Sequence, residues 1–386
     1  GGGYSAIAPQ DAVYGPIGEA ALMDSGIGTL GRDDLDRLAT GRKLSLDFDI
    51  DDTAFRLSAD TRPADLEDQL YLMAAKLASP RWDPNPVLRA KAAAKLQYES
   101  YNSSPMAVLG RDLTWLLRDG DPRYATPNPA ELAKVTPDGF RKAWEPLLAQ
   151  GPIEIDMFGD FNREQALASL EKTFGALPAR VASAAPALSP NIPAHNAEPL
   201  VLTHRGDPGQ AAAVMAWPTG GGQAGVRESR QLEILAQIFN NRLFDAMREK
   251  VGASYAPQVG SSWPLDLPSG GYIAATVQLR PTDFDTFFAA ADKIAADLAA
   301  SPPSADEVAR VTEPLKQLIT RASTGNGFYM FQLEGAANDP RKIAGIRTIL
   351  NDYSQTTPER MQALAGRYLR SDKSWRLKVV PEKSAP

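Results

Sequence analysis

The stretch "MREKVGASY", Met247 to Tyr255, sets Arg248 and Tyr255 seven residues apart across Gly252. Arginine carries a permanent charge and donors in a fixed fork, and tyrosine adds a phenolic donor. Aimed at one point, the two could hold a carbonyl oxygen and stabilise the oxyanion formed when that carbonyl is attacked. Losing one such donor typically costs about 3 kcal/mol of transition-state stabilisation. A plainer reading stays open beside it: Arg248 caps its helix C-terminus, where positive charge is favourable, and Tyr255 packs at a strand edge.

The elements that would position them are legible. Leu232, Leu235, Phe239, Leu243 and Met247 recur at three- and four-residue steps, which predicts a helix from about Glu228 to Lys250. Gly252 follows as a left-handed stop, and Tyr255 begins the next strand. A helix end and a strand start joined by a tight turn can bring both tips to one cavity.

The chain has 386 residues, which implies two domains. With 43% hydrophobic and 23% charged residues, a packed soluble protein is expected. A net charge of −6 argues against a nucleic-acid surface, and no apolar run approaches the ~18 residues of a membrane span. Cysteine is absent, which removes disulfides and thiolate metal sites. Only two histidines exist, His195 and His204. The opening "GGGYSAIAP" reads as a processed or trimmed start.

The segment 182–199 is rich in Ala, Pro and Ser and reads as a linker between a first domain, 1–181, and a second, 200–386. The two sides say similar things. Residues 54–80 run from an alternating strand (Phe55, Leu57, Ala59) through Arg62-Pro63 to a helix with Leu66, Leu70, Met73 and Leu77 inward, ending at Pro80. Residues 272–302 repeat the plan through Arg280-Pro281, with Phe284, Phe288, Ala291 and Ile294 inward on a helix about one turn longer. The Arg-Pro pairs lie 218 residues apart. Residues 135–160 and 356–382 also match: each opens a helix with Thr at the N-cap, Pro at N1 and an acid in the first turn. Each then enters an alternating strand, through Ile153 and Ile155 or through Trp375, Leu377 and Val379. The expectation is an α+β protein of two tandem homologous domains, each a mainly antiparallel sheet with helices on one face.

With those elements placed, the chain resembles the pitrilysin/insulinase family of zinc metallopeptidases, which includes the mitochondrial processing peptidase. "IFNNRLFDAMREKVGASY" (Ile238 to Tyr255) resembles the family's second-domain motif, and "IEIDMFGDFNREQALASLEKTFGALPAR" (Ile153 to Arg180) resembles the end of a family first domain. The resemblance implies half of a clamshell, with Arg248 and Tyr255 facing a zinc held elsewhere. The family's zinc-binding half carries an inverted His-x-x-Glu-His and a distant glutamate, which leave a water in the open position. Here Ala21, Asp24 and Ser25 stand where those three residues would be, and Glu99 lies near the distant glutamate. No cofactor is expected in this chain. Zinc would come from a partner half, either on the same longer polypeptide or a separate subunit, and the substrate would be a peptide. The rival within the family is a non-catalytic structural subunit. A periplasmic or secreted bacterial location is preferred over the cytoplasm.

Two other signals are weaker. Gly220-x-Gly222-x-x-Gly225 has the form of a dinucleotide fingerprint, and would make the chain a nucleotide-binding α/β protein. Pro218 and the missing acid about twenty residues on favour a flexible loop instead. "DFDIDD" (Asp47 to Asp52) lacks the Gly and Glu of a calcium loop, so a half-buried strand is expected. His195 and His204 lack metal-ligand spacing and read as surface or packed histidines.

Overall fold

The computed structural model describes residues 2–180, 182, 188, 190–251 and 256–382. The chain divides into two compact units, one of Gly1–Glu99 with Asp121–Leu188, the other of Ser100–Gly120 with Ser189–Pro386. The boundary thus falls near residue 189, and a stretch of the first half belongs to the second unit.

In the first unit the alternation of "DFDI" produces strand β1 (Asp47–Ile50), with Phe48 and Ile50 buried and Asp47 and Asp49 exposed. It pairs antiparallel with β2 (Phe55–Ser58), in the register Phe48↔Leu57 and Ile50↔Phe55. Past β2, Arg62 Nε donates to Asp65 at 2.7 Å across a one-turn corner. The helix Leu66–Ala78 follows and stops two residues before Pro80. The helix Pro137–Ala149 starts as read, with Thr136 Oγ1 accepting from Gly139 N at 3.0 Å. Its Trp144 is fully buried, 5.5 Å from the Phe48 ring and 5.2 Å from Phe55. The helix Tyr14–Ala21 closes that core, and a Cβ on Gly18 would fall 2.1 Å from the Trp144 ring, so only glycine fits there. One expectation fails: residues 152–158 form no strand.

The second unit holds β3 (Leu200–His204), β4 (Ala211–Pro218), β5 (Gln258–Ser262), β6 (Tyr272–Leu279) and β7 (Trp375–Pro381). They form a five-stranded mixed sheet of order β3-β7-β4-β6-β5. β3 runs parallel to β7, and every other pairing is antiparallel. One face packs on the long helix Val226–Val251, on Phe284–Ala300 and on Pro358–Tyr368. The other face is covered too, which corrects the expectation of helices on one side. Val108 and Leu109 of the helix Pro105–Leu116, with Leu117, pack on Val214, Ala216, Leu377 and Val379. The cause lies in β4, which is apolar at every position from Ala211 to Trp217 and so needs both faces kept from water.

Candidate functional site

The long helix Val226–Val251 buries the expected stripe: Leu232, Leu235, Phe239, Leu243 and Met247 are all fully enclosed. Polar side chains pin its first half. Arg230 pairs with Asp352 at 2.6 Å and donates to Gly345 O at 2.9 Å, both in the interior. Glu233 accepts from Tyr353 Oη at 2.6 Å, and Glu228 accepts from Arg360, Arg367 and Tyr368. Further along, Arg242 forks onto Glu307 at 2.7 and 3.1 Å, and that guanidinium holds the Glu307 carboxyl down to about 2. Asn240 Oδ1 accepts from Val259 N at 2.9 Å and ties β5 to the helix.

Two arginines of this helix are largely exposed: Arg227, which donates to Gln355 Oε1 at 2.9 Å, and Arg248. Arg248 stands 60% exposed, its charge partner Asp245 is 3.7 Å away and equally exposed, and its guanidinium lies 5.9 Å from the centre of the Phe244 ring. Among the described residues it bonds no terminal carbonyl, so the capping role is not what the geometry shows. Gly252 and Tyr255 lie outside the described residues, and the Arg248–Tyr255 separation is therefore not part of the geometry; β5 begins at Gln258.

The segment aligned with the zinc motif has different chemistry. Ala21 is fully buried, Asp24 lies within 3.9 Å of Arg32 and 3.5 Å of Arg89, and the Ser25 hydroxyl donates to Ala21 O at 3.2 Å. Glu99 is exposed near the end of the helix Pro84–Ser100. A methyl, a salt-bridged carboxylate and a committed hydroxyl do not fit zinc. Instead Lys76, almost wholly buried, sends its ammonium to Leu22 O and Met23 O, each at 3.2 Å, and to Ser25 O. Burial is the main reason its pKa falls to about 8, with the Arg32 charge next. Sequence reasoning missed this lysine. The signal was there: Gln69, Met73 and Lys76 sit at helical spacing beside an apolar stripe, and Gln69 and Lys76 are both buried.

Both histidines bond backbone, His204 in the interior and His195 on the surface. His195 Nδ1 lies 2.6 Å from Ser374 O. His204 Nδ1 accepts from Gly206 N at 3.1 Å, so Nε2 carries the proton toward Gln210 O at 2.8 Å. The glycine fingerprint wraps an indole: a Cβ on Gly220 or Gly225 would strike Trp263 at 2.5 or 2.1 Å, and Trp263 Nε1 donates to Gly222 O at 3.0 Å. Those glycines make room for a tryptophan.

Residues 134–315 match the family described as the Peptidase M16 inactive domain. No curated protein sequence matches the chain. Among solved structures, the fold is similar to that of the periplasmic protease PqqL from Escherichia coli, with a TM-score of 0.80 and 14% identity over 99% of this chain and 42% of that one. It is similar to the ferredoxin protease FusC, solved in complex with Arabidopsis ferredoxin, with a TM-score of 0.79 and 16% identity over 99% and 42%. A peptidase M16 inactive domain from Pseudomonas fluorescens gives 0.75 and 17% over 99% and 92%. The chain thus spans 42% of the length of each of the first two proteins.

Proposed function

We propose, for a chain that belongs to the M16 peptidases and carries their inactive domain over residues 134–315, that it is the half of a peptidase that binds peptide without holding metal. In this reading it forms one half of a clamshell built of two tandem domains. The zinc belongs to a partner half, where it supplies Lewis-acid chemistry and an activated water. This chain's residues bind and orient the scissile carbonyl. The Arg248 guanidinium donates to its oxygen and strengthens that bond as negative charge develops there; the Tyr255 phenol adds a second donor.

The observation that carries this is the contrast along one helix. Arg230 and Arg242 are engaged with carboxylates and Arg227 with Gln355, whereas Arg248, with only Asp245 at 3.7 Å among the described residues, stands exposed at the end of a helix held rigidly behind it. The segment aligned with the zinc motif offers no donor set of its own, which is why a partner is required. No helix among the described residues is long and apolar enough to cross a membrane, and the likeness to a periplasmic protease makes that compartment the preferred one.

The test mixes this chain with a zinc-bearing M16 half and follows cleavage of a fluorogenic peptide library. Arg248→Ala should lower kcat about 10²- to 10³-fold, and Tyr255→Phe should lower it in the same sense, with assembly unchanged. Unaltered rates in both variants defeat the catalytic assignment. Stable assembly without cleavage by any partner would favour the structural-subunit reading.

A further inference from the structure

Three consecutive helices of the second unit turn apolar side chains to solvent. The helix Ala305–Ala322 buries Val308, Val311 and Thr312 and leaves Leu318 exposed. The helix Arg341–Ser354 buries Gly345, Ile349, Asp352 and Tyr353. Its opposite side carries Ile343, Arg347 and Leu350, at steps of four and three residues, all exposed. These two helices pack together, and the short helix Asn326–Leu333 between them in sequence packs on the second. That short helix, "NGFYMFQL", is the anomaly: five of its eight residues are large and apolar, and it buries none. Phe328 leans on the core, but Phe331 is 80% exposed and Met330 47%. A helix with apolar residues on every side is normally enclosed, and an apolar surface of this kind left in water marks a contact site. Its two ends are tied down: Gly325 N donates to Ala322 O at 3.0 Å, and Lys342 Nζ donates to Glu334 O at 2.8 Å.

The charges on these helices select the partner. Arg310 and Arg341 hold Asp306 at 2.6 Å and Asp339 at 2.7 Å, and Lys316 holds Glu313 at 2.8 Å. Arg321 and Arg347 differ: among the described residues neither guanidinium has a carboxylate or hydrogen-bond partner. Arg321 lies three residues from Leu318, and Arg347 lies between Ile343 and Leu350 on one face, so each neighbours exposed apolar side chains. Aromatic residues, methionine and arginine together are the composition of a protein interface. A second copy of this chain fits poorly, because a two-fold contact would set the arginines of one copy against those of the other. An anionic membrane is drawn by clusters of about four to eight basic residues, and these helices offer two unpaired ones among the described residues.

We infer that this surface is the docking site for an amphipathic helix of a partner protein, one whose apolar side chains are bordered by glutamates or aspartates. Phe331 and Met330 supply the apolar anchors, and Arg321 and Arg347 take the carboxylates. The spacing of Ile343, Arg347 and Leu350 matches the repeat along such a helix, with charge set beside an apolar seam. Docking here needs neither a zinc-bearing half nor cleavage, so it stands or falls apart from the role of Arg248.

The probe is a fluorescein-labelled synthetic helical peptide with leucine and phenylalanine on one face and glutamates beside them; a twin carries lysine at each glutamate. Fluorescence anisotropy with the 386-residue chain should show saturable binding of the acidic peptide. The lysine twin should bind at least about tenfold more weakly at low salt. Phe331→Ala should weaken the acidic peptide about tenfold or more. Arg347→Glu should weaken it in the same sense and strengthen the lysine twin, a reversal that loss of folding would not produce. Both side chains are exposed, so thermal unfolding of each variant should match that of the parent chain. No binding of the acidic peptide, equal binding of the two peptides, or binding indifferent to both substitutions overturns the inference. So does a concentration-dependent dimer in sedimentation that Phe331→Ala dissolves, or cosedimentation with phosphatidylserine vesicles that the same substitution abolishes.

Discussion

The corner from Arg62 to Asp65 and the corner from Arg280 to Asp283 are nearly superposable in backbone terms. Arg62 has φ −94° and ψ 154°, Arg280 −81° and 150°; Asp65 has −104° and 5°, Asp283 −105° and 4°. Each arginine bonds its aspartate, at 2.7 and 2.9 Å. Yet β6, which enters the second corner, has eight residues and two neighbours, while β2 has four residues and, among the described residues, one. The same local chemistry makes the same corner in both places. Strand length is set by what lies alongside, because a strand extends only as far as its peptide groups find partners.

The largest expected effect comes from the helices behind the two sheets. In the second unit Arg230 and Asp352 are both interior, 8% and 5% exposed. Asp352→Ala would strand a guanidinium with only Gly345 O and Thr348 near it. Breaking such a pair costs about 3–5 kcal/mol. Denaturant unfolding should show that loss in the second unit, and Arg248 at the far end of the same helix should lose its fixed placement. A loss under about 1 kcal/mol would mean the pair behaves as a surface one, and the contrast between engaged and exposed arginines would lose its force.

Much of this was legible in the sequence, for identifiable reasons. The long helix, the Thr-Pro starts at Thr136 and Thr357, and the burial of Phe284, Phe288, Ala291 and Ile294 follow from spacing and capping alone. Three features were not. The strand at Ile153 and Ile155 depends on a neighbour that local alternation cannot reveal. The helix Pro105–Leu116 belongs to the second unit's sheet, and only the two-sided apolarity of β4 hinted that something must cover it. Lys76 went unread because its three carbonyl partners come from residues 51 to 54 positions away. Of the candidate site, the helix that carries Arg248 was legible; Gly252 and Tyr255 lie outside the described residues.

Lys76 gives the next largest effect, and it sharpens the comparison because the corresponding helix of the second unit, Phe284–Ala300, has no buried lysine in that role among the described residues. Lys76→Met would take a donor from the carbonyls of Leu22, Met23 and Ser25, leaving Met23 O with Arg32 at 3.3 Å, at about 1–3 kcal/mol. The pH dependence has a definite sign. Burial lowers the ammonium from its ordinary 10.5 to about 8 in the folded chain. Between those values the unfolded chain binds a proton that the folded chain has released, so stability rises with pH across that window. Urea unfolding of the first unit at pH 7.5, 9 and 10.5 should show the rise, and Lys76→Met should flatten it. A flat wild-type profile would mean that the three carbonyls offset the burial.

The corners themselves give the smallest effect and the finest test of equivalence. Arg62 and Arg280 are each more than half exposed, so their charges are screened and the pairs contribute modestly. Both aspartates have a further partner: Asp65 accepts from Lys43 N at 2.8 Å, and Asp283 accepts from Thr282 Oγ1 at 3.2 Å. Asp65→Asn and Asp283→Asn should each lower the melting temperature only slightly. The hydrogen bond from Arg62, then the one from Lys43 N–H, holds the Asp65 carboxyl below the usual carboxylate range. A carboxyl depressed on folding stabilises above its unfolded pKa and loses that contribution as pH falls through the lower, folded one. Asp65→Asn should accordingly remove part of the acid sensitivity of the first unit, read by urea unfolding at pH 7 and pH 3. If the acid limb is unmoved by Asp65→Asn, the contacts from Arg62 and Lys43 carry no weight in the stability of the first unit.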